Sequence, residues 1–114
     1  MRNLIAGAVM GFGALSLSPA QAQTAGTIDH GKQVFEYWCS ACHGAGRDRP
    51  GTNALRIKYN GAKPALLEER TDLPPEVLKT FVRTGIFTMP PFRKTEISDA
   101  DLDALAAYIA RKKR

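Results

Sequence analysis

This sequence predicts an all-α fold with long loops. Apolar residues recur at helical spacing in three separate segments, and no convincing segment alternates in the two-residue period of a strand. Helix start and stop residues bracket those segments, and the stretches between them are polar and rich in Gly and Pro.

The N-terminus is read first because it sets the length of the folded part. Residues 1–22, MRNLIAGAVMGFGALSLSPAQA, open with Arg2, continue through an uncharged apolar run from Leu4 to Leu17, and end on the small residues Ala20 and Ala22. That layout is a secretory signal, with cleavage expected after Ala22. An uncleaved anchor is the alternative, but a membrane span needs about 20 apolar residues and this run is shorter. No later stretch is long enough to span. The expectation is a cleaved signal at 1–22 and one exported, periplasmic domain at 23–114. A domain that small buries little surface and commonly needs a staple. With only Cys39 and Cys42 available, a disulfide framework is excluded, and a large apolar cofactor in the core would meet the need.

The elements follow in chain order. Residues 23–28 read as a loose leader, and Asp29 as the N-cap of a helix through Val34, Phe35 and Trp38 into the cysteines. Residues 44–63 read mainly as loop. A short helix is expected at 64–70, PALLEER. The stretch TDLPPEVLKTFVRTG places Asp72 and the prolines at a helix start, Glu76 in the first turn and Gly85 at the stop, with Val77, Leu78, Phe81 and Val82 on one face. Residues 86–97 form a loop holding TMPPF. In the last segment Ser98 can cap, with Asp101 three residues on. Leu102, Leu105, Ala106 and Ile109 make one stripe, bordered by Tyr108. Asp99, Asp101 and Asp103 at its start and the basic tail at its end both complement the helix dipole.

The formal charge of +5 falls to +4 when Arg2 leaves with the signal, an excess that residues 111–114 account for. A charge run is usually a solvated face; the sharper reading is a patch that steers the protein onto an acidic partner. No basic stripe interleaves with aromatics, so nucleic acid is not an expected partner.

The chemistry lies in WCSACHG, residues 38–44. WCSAC has the form of a thioredoxin-like thiol centre, and CSACH that of a c-type haem attachment site. A thioredoxin-like domain needs a central sheet, and the residues before Cys39 have a helical period. Zinc would need a further pair of ligands, which the chain lacks. The haem reading explains the spacing. Cys39 and Cys42 lie on one face of a helical turn and can reach two vinyl groups on one porphyrin edge, and His43 is then directed to the iron. For the sixth ligand, Met89 is the sole methionine after signal cleavage, in a loop stiffened by Pro90 and Pro91. His30 is the competing donor, but it falls near the start of the first helix. His/Met ligation favours Met89.

With those residues in view, the mature chain resembles a class I c-type cytochrome over nearly its whole length. The matching features are Gly31 and Phe35, CSACH at 39–43, PGTNAL at 50–55, TMPPF at 88–92 and DADLDALAAYIA at 99–110. The resemblance implies the small class I cytochrome c fold, with three to four helices and long loops around one covalent haem c. It implies a close crossing of the first and last helices at Gly31, Phe35 and Tyr108. It also implies that Pro50 offers its carbonyl to the ring N–H of His43. The stretch from residue 71 to 110 further resembles the cytochrome subunits of flavocytochromes that oxidise 4-alkylphenols, such as p-cresol methylhydroxylase and eugenol hydroxylase. That likeness implies a one-electron transfer protein, not catalytic alone, with a flavoprotein subunit as donor and a downstream acceptor. A freely diffusing carrier is the alternative. An alternative of another class is a thiol-disulfide oxidoreductase using Cys39 and Cys42.

Overall fold

The computed structural model describes residues 19–111. Residues 1–18 of the expected signal and residues 112–114 of the basic tail lie outside the described residues. The helices in order are α1 (Pro19–Val34), α2 (Ser40–His43), α3 (Pro50–Tyr59), α4 (Pro75–Thr84) and α5 (Asp99–Ala110). The described residues form no strand; an isolated bridge between Ile86 and Met89 is the nearest approach to one. The all-α expectation therefore holds.

A π-helical turn, Phe35–Cys39, joins α1 to α2, and the Ser40 N–H bonds back to the Phe35 carbonyl. The chain from Pro19 to His43 is thus one helical run with a single wide turn before the cysteines. Asp29 is not the cap that its residue type suggests. It lies inside α1, which is described from Pro19 on and also takes in the supposed leader at 23–28.

α5 behaves as its sequence predicts. The Ser98 hydroxyl accepts the Asp101 N–H at 3.1 Å and donates to the Asp101 carboxylate at 2.8 Å. Leu102, Leu105, Ala106 and Ile109 are buried, and so is Tyr108. With Val34, Phe35, Leu78, Val82 and Ile97 they form the core. Burying each of the larger side chains is worth about 1.5–3 kcal/mol. α1 crosses α5 at Gly31. A Cβ there would lie 2.6 Å from the Ala104 carbonyl carbon and 2.8 Å from Tyr108 Cβ. The Phe35 and Tyr108 rings meet beside it, with centroids 6.0 Å apart.

α4 starts at Pro75, with Pro74 as an N-cap that offers no side-chain bond. Asp72 does not cap it: its carboxylate pairs with Arg70 at 2.5 Å and Lys63 at 2.6 Å. Leu78 and Val82 enter the core, while Val77 and Phe81 stay partly in solvent. Gly85 closes the helix at φ +68°.

Two loop-and-helix expectations are corrected. Residues 50–59, read as loop, are the ten-residue α3. Its inward residue is Thr52, whose hydroxyl donates to the Gly44 carbonyl at 2.9 Å, so no apolar stripe marks it. Pro50 at its start and Asn60 in the left-handed conformation at its end are its signals. Residues 64–70, read as a helix, hold only a 3₁₀ turn at Leu67–Glu69. The chain turns extended at Arg70, whose guanidinium reaches Asp72 and stacks 4.9 Å from the Tyr59 ring.

Candidate functional site

Cys39 closes the π turn, and Cys42 and His43 sit in α2 one turn on. Both cysteines are free; Cys42 is exposed and Cys39 half-buried. Burial pushes the Cys39 thiol up to about 12, with Cys42 adding to the shift. His43 is half-buried, and burial lowers its pKa below the ordinary histidine value. Its imidazole is therefore held in the neutral form, the one that can donate a lone pair to a metal.

α3 packs directly on this histidine. A Cβ at Gly51 would lie 2.7 Å from His43 Cε1 and 2.9 Å from Nδ1. The absence of a side chain at 51 is what lets the helix start lie on the ring. His43 Nδ1 is buried there without a hydrogen-bond partner. Pro50, the residue before Gly51, makes no hydrogen bond to it in this structure.

Met89 stands in the loop between α4 and α5. The Ile86 and Met89 backbones exchange hydrogen bonds at 3.1 and 2.9 Å, closing a tight turn with Phe87 at φ +52°. Gly85 makes room for this turn, because a Cβ there would lie 2.6 Å from the Met89 carbonyl oxygen. Farther on, the Phe92 N–H bonds to the Val82 carbonyl at 2.8 Å. Arg83 Nη1 donates to the Phe92 and Ile97 carbonyls at 3.1 and 2.9 Å, and Nη2 to Asp99 at 2.9 Å. One guanidinium thus ties the Met89 loop to α4 and α5. The Trp38 and Phe92 rings meet edge-on at 5.9 Å. Trp38, Cys39, Met89 and Phe92 all pack against the same core, so the cysteine segment and the methionine loop flank one body of side chains.

Sequence reasoning did not find Gly51 or Arg83, and found Gly85 only as the stop of α4. Gly51 had a usable signal, a glycine just after a helix-starting proline. Arg83 had none, because an arginine on α4 reads as an ordinary solvent-facing charge. His30 is placed elsewhere: its Nε2 lies 2.6 Å from Asp101 Oδ1, linking α1 to α5. The thiol-centre reading also fails. The motif lies inside a helical run that no strand precedes among the described residues, and burial raises the Cys39 thiol, whereas a reactive cysteine needs a lowered pKa.

A family model described as cytochrome C oxidase, cbb3-type, subunit III matches residues 26–109. The chain belongs to the cytochrome c family. This cytochrome is 30% identical over 109 residues to the 4-cresol dehydrogenase (hydroxylating) cytochrome c subunit of Pseudomonas putida, covering 96% of this chain and 82% of the relative. It is 31% identical over 85 residues to a cytochrome c6 of Cyanidioschyzon merolae, 75% of this chain and 74% of that one. To a cytochrome c6 of Cyanidium caldarium it is 28% identical over 85 residues, 75% and 71% of the two chains. No solved structure matches at a significant level.

Membership makes covalent haem c the cofactor of this cytochrome and electron transfer its function. Its residues fit that group. Two free thiols lie one turn apart, and a thioether tether needs no charged sulfur. A neutral imidazole follows them, with one ring nitrogen buried and unpartnered against a glycine cradle. No helix among the described residues is long and apolar enough to cross a membrane.

Proposed function

We propose that this cytochrome is an exported one-electron carrier, cleaved after Ala22, whose donor is a flavoprotein subunit that oxidises 4-alkylphenols. In this reading Cys39 and Cys42 would tether the haem, and His43 and Met89 would hold its iron. The observation that carries the ligand assignment is the packing of Cys39 and Met89 against one core, with Trp38 on Phe92 joining their two segments.

When bound, the haem supplies one-electron redox chemistry at its iron. The chain's own residues do the rest. Burial keeps His43 neutral, and Gly51 lets α3 brace the ring. The Pro50 carbonyl, next to Gly51, is the proposed acceptor for the ring N–H, which would orient the imidazole. Arg83 and the Ile86–Met89 turn hold the methionine loop against the core. Two donors held by the chain would suit electron transfer at the iron more than substrate turnover. The likeness to the Pseudomonas putida subunit across nearly the whole chain supports a flavoprotein partner. A free carrier is the second reading, favoured by similar identity to two cytochromes c6, which are not named as subunits.

The test is gel filtration of the protein purified gently from its own host, with absorbance followed at haem and flavin bands. Flavin co-eluting with haem at a mass well above a small monomer is the expected result. Haem alone at low mass selects the free carrier, and absence of covalent haem overturns the tether assignment. In the ferric protein, Met89→Ala is expected to abolish the thioether-to-iron charge-transfer band and to open the reduced protein to carbon monoxide.

A further inference from the structure

Several hydroxyls on the helices of this chain are turned onto their own backbone. Ser40, Thr80 and Thr84 each donate to the carbonyl four residues back, at 2.6, 2.8 and 2.9 Å. That is a common outlet for a helical Ser or Thr. Thr52 differs. It stands in the first turn of α3, is wholly buried, and donates at 2.9 Å across to the Gly44 carbonyl. Gly44 follows His43, closes α2, and is itself buried. Carbonyls at a helix end need partners from outside the helix, and a buried one cannot turn to water instead.

The neighbours of that hydrogen bond also touch. Gly51 precedes Thr52, and a Cβ there would lie 2.7 Å from His43 Cε1 and 2.9 Å from both Nδ1 and the Cys42 carbonyl oxygen. Residues 43 and 44 therefore meet residues 51 and 52 at two adjacent points, a ring on bare backbone and a carbonyl on a hydroxyl. Arg49 adds less, because its guanidinium lies 3.4 Å from the Ala41 and Ala45 carbonyls, past the usual hydrogen-bond length. His43 Nδ1 is buried without a hydrogen-bond partner. In this structure the ring thus takes its angle from contact and not from a bond of its own. The bare backbone at Gly51 is the surface it rests on, and the Thr52 bond fixes how far away that surface stands.

We propose that Thr52 is a positioning residue for His43: its hydroxyl, through the Gly44 carbonyl, holds the start of α3 against the imidazole and sets the ring's orientation. The proposal rests on the reading above that His43 is a haem ligand, and it names what aims that ligand. A shift of α3 would let the ring turn, and would carry the Pro50 carbonyl with it. Groups that orient a metal ligand govern the site nearly as much as the ligand does.

The test uses the haem-loaded protein with Thr52→Val, which keeps the shape and removes the donor, and Thr52→Ser, which keeps the donor and removes a methyl. Two signals report on the ring itself. In the ferric protein the unpaired electron shifts the His43 ring proton resonances by amounts that depend on ring orientation. In the reduced protein, exchange of the His43 ring N–H for deuterium reports how often α3 lifts away. Thr52→Val is expected to move the ring resonances and to quicken that exchange roughly tenfold or more, the size set by one buried carbonyl left unpaired. Thr52→Ser is expected to keep both signals near the wild type. Ser98→Ala, which weakens the α5 cap, is expected to lower stability and leave both signals as they are. If Thr52→Val does not take up haem, Thr52→Ser and Thr52→Ala differ by the hydroxyl alone, and the same contrast is expected between them.

Wild-type ring signals in Thr52→Val, with only its denaturation midpoint lowered, would overturn the proposal and make Thr52 a support of the fold. Equal disturbance in Thr52→Ser would overturn it too, by assigning the effect to the methyl. So would equal disturbance in Ser98→Ala, because the signals would then follow global stability. A wild-type His43 ring without any paramagnetic shift has a different meaning: His43 is not on the iron, and the ligand reading itself falls.

Discussion

Where α1 crosses α5, the missing side chain at Gly31 lets backbone meet backbone, and Phe35, Leu102, Leu105 and Ile109 close around the gap. The Met89 loop is held by other means. Its tip is in solvent, with Phe87 95% exposed, and apart from Ile97, Met89 and Phe92 it places little against the core. It stays in place because its Phe92 N–H donates to the Val82 carbonyl and the Arg83 guanidinium donates to its Phe92 and Ile97 carbonyls. The crossing therefore fails by crowding and the loop by loss of a donor. Different substitutions should separate them.

The largest effect is expected from Gly31→Val. Its side chain would enter the space of the Ala104 backbone, and overpacking there should cost about 3 kcal/mol. Chemical denaturation of the haem-loaded protein measures it, and an unchanged midpoint would mean that the helices can part without penalty. Next comes Arg83→Met, which keeps the stem and removes the donors that serve two carbonyls. About 2 kcal/mol is expected, concentrated in the loop. Hydrogen exchange should quicken at the Phe92 and Ile97 amides more than at Leu105 and Ile109. Uniform quickening would make Arg83 a support of the whole fold.

Ser98→Ala removes the cap of α5, at about 1 kcal/mol. Because α5 serves both regions, the loss should appear in the global midpoint and not in the loop alone. The smallest effect is pH dependence. Hydrogen bonds from Lys94 and Arg83 hold the Asp99 carboxyl below the usual carboxylate range, and His30 and Ser98 do the same for Asp101. A depressed folded pKa gives stability that is complete above the ordinary value of 3.8 and is lost as pH falls through the folded one. Acid should loosen the Met89 loop through Asp99 and the link between α1 and α5 through Asp101. Asp99→Asn should flatten the acid limb of the stability curve, as denaturation midpoints taken across acid pH would show.

What the sequence made legible follows the same division. α5 could be read almost residue by residue, because its cap and stripe are local features and its apolar face is the one it buries. α3 could not, since the side it turns inward is a threonine hydroxyl and a glycine, which leave no mark in hydrophobic periodicity. The cysteines, His43 and Met89 stood out by residue type and spacing. Of the residues that hold them, Gly85 stood out only as a helix stop; Gly51 matters for atoms it lacks, and Arg83 for carbonyls distant along the chain. The acids of α5 were legible as partners of a dipole, but not as partners of Lys79, Lys94, Arg83 and His30, which only the fold brings to them.

The π turn at Phe35–Cys39 works as a phase shifter. An α-helix advances about 100° per residue, so one extra residue in a wide turn rotates everything after it by that angle. Upstream, Gly31 and Phe35 are locked in azimuth by α5. Downstream, Cys42 and His43 take a bearing that a straight α-helix with the same anchor would not give them. Removing a single residue from this turn would leave the crossing intact and swing the Cys-His segment about a quarter of a turn away from the loop that carries Met89.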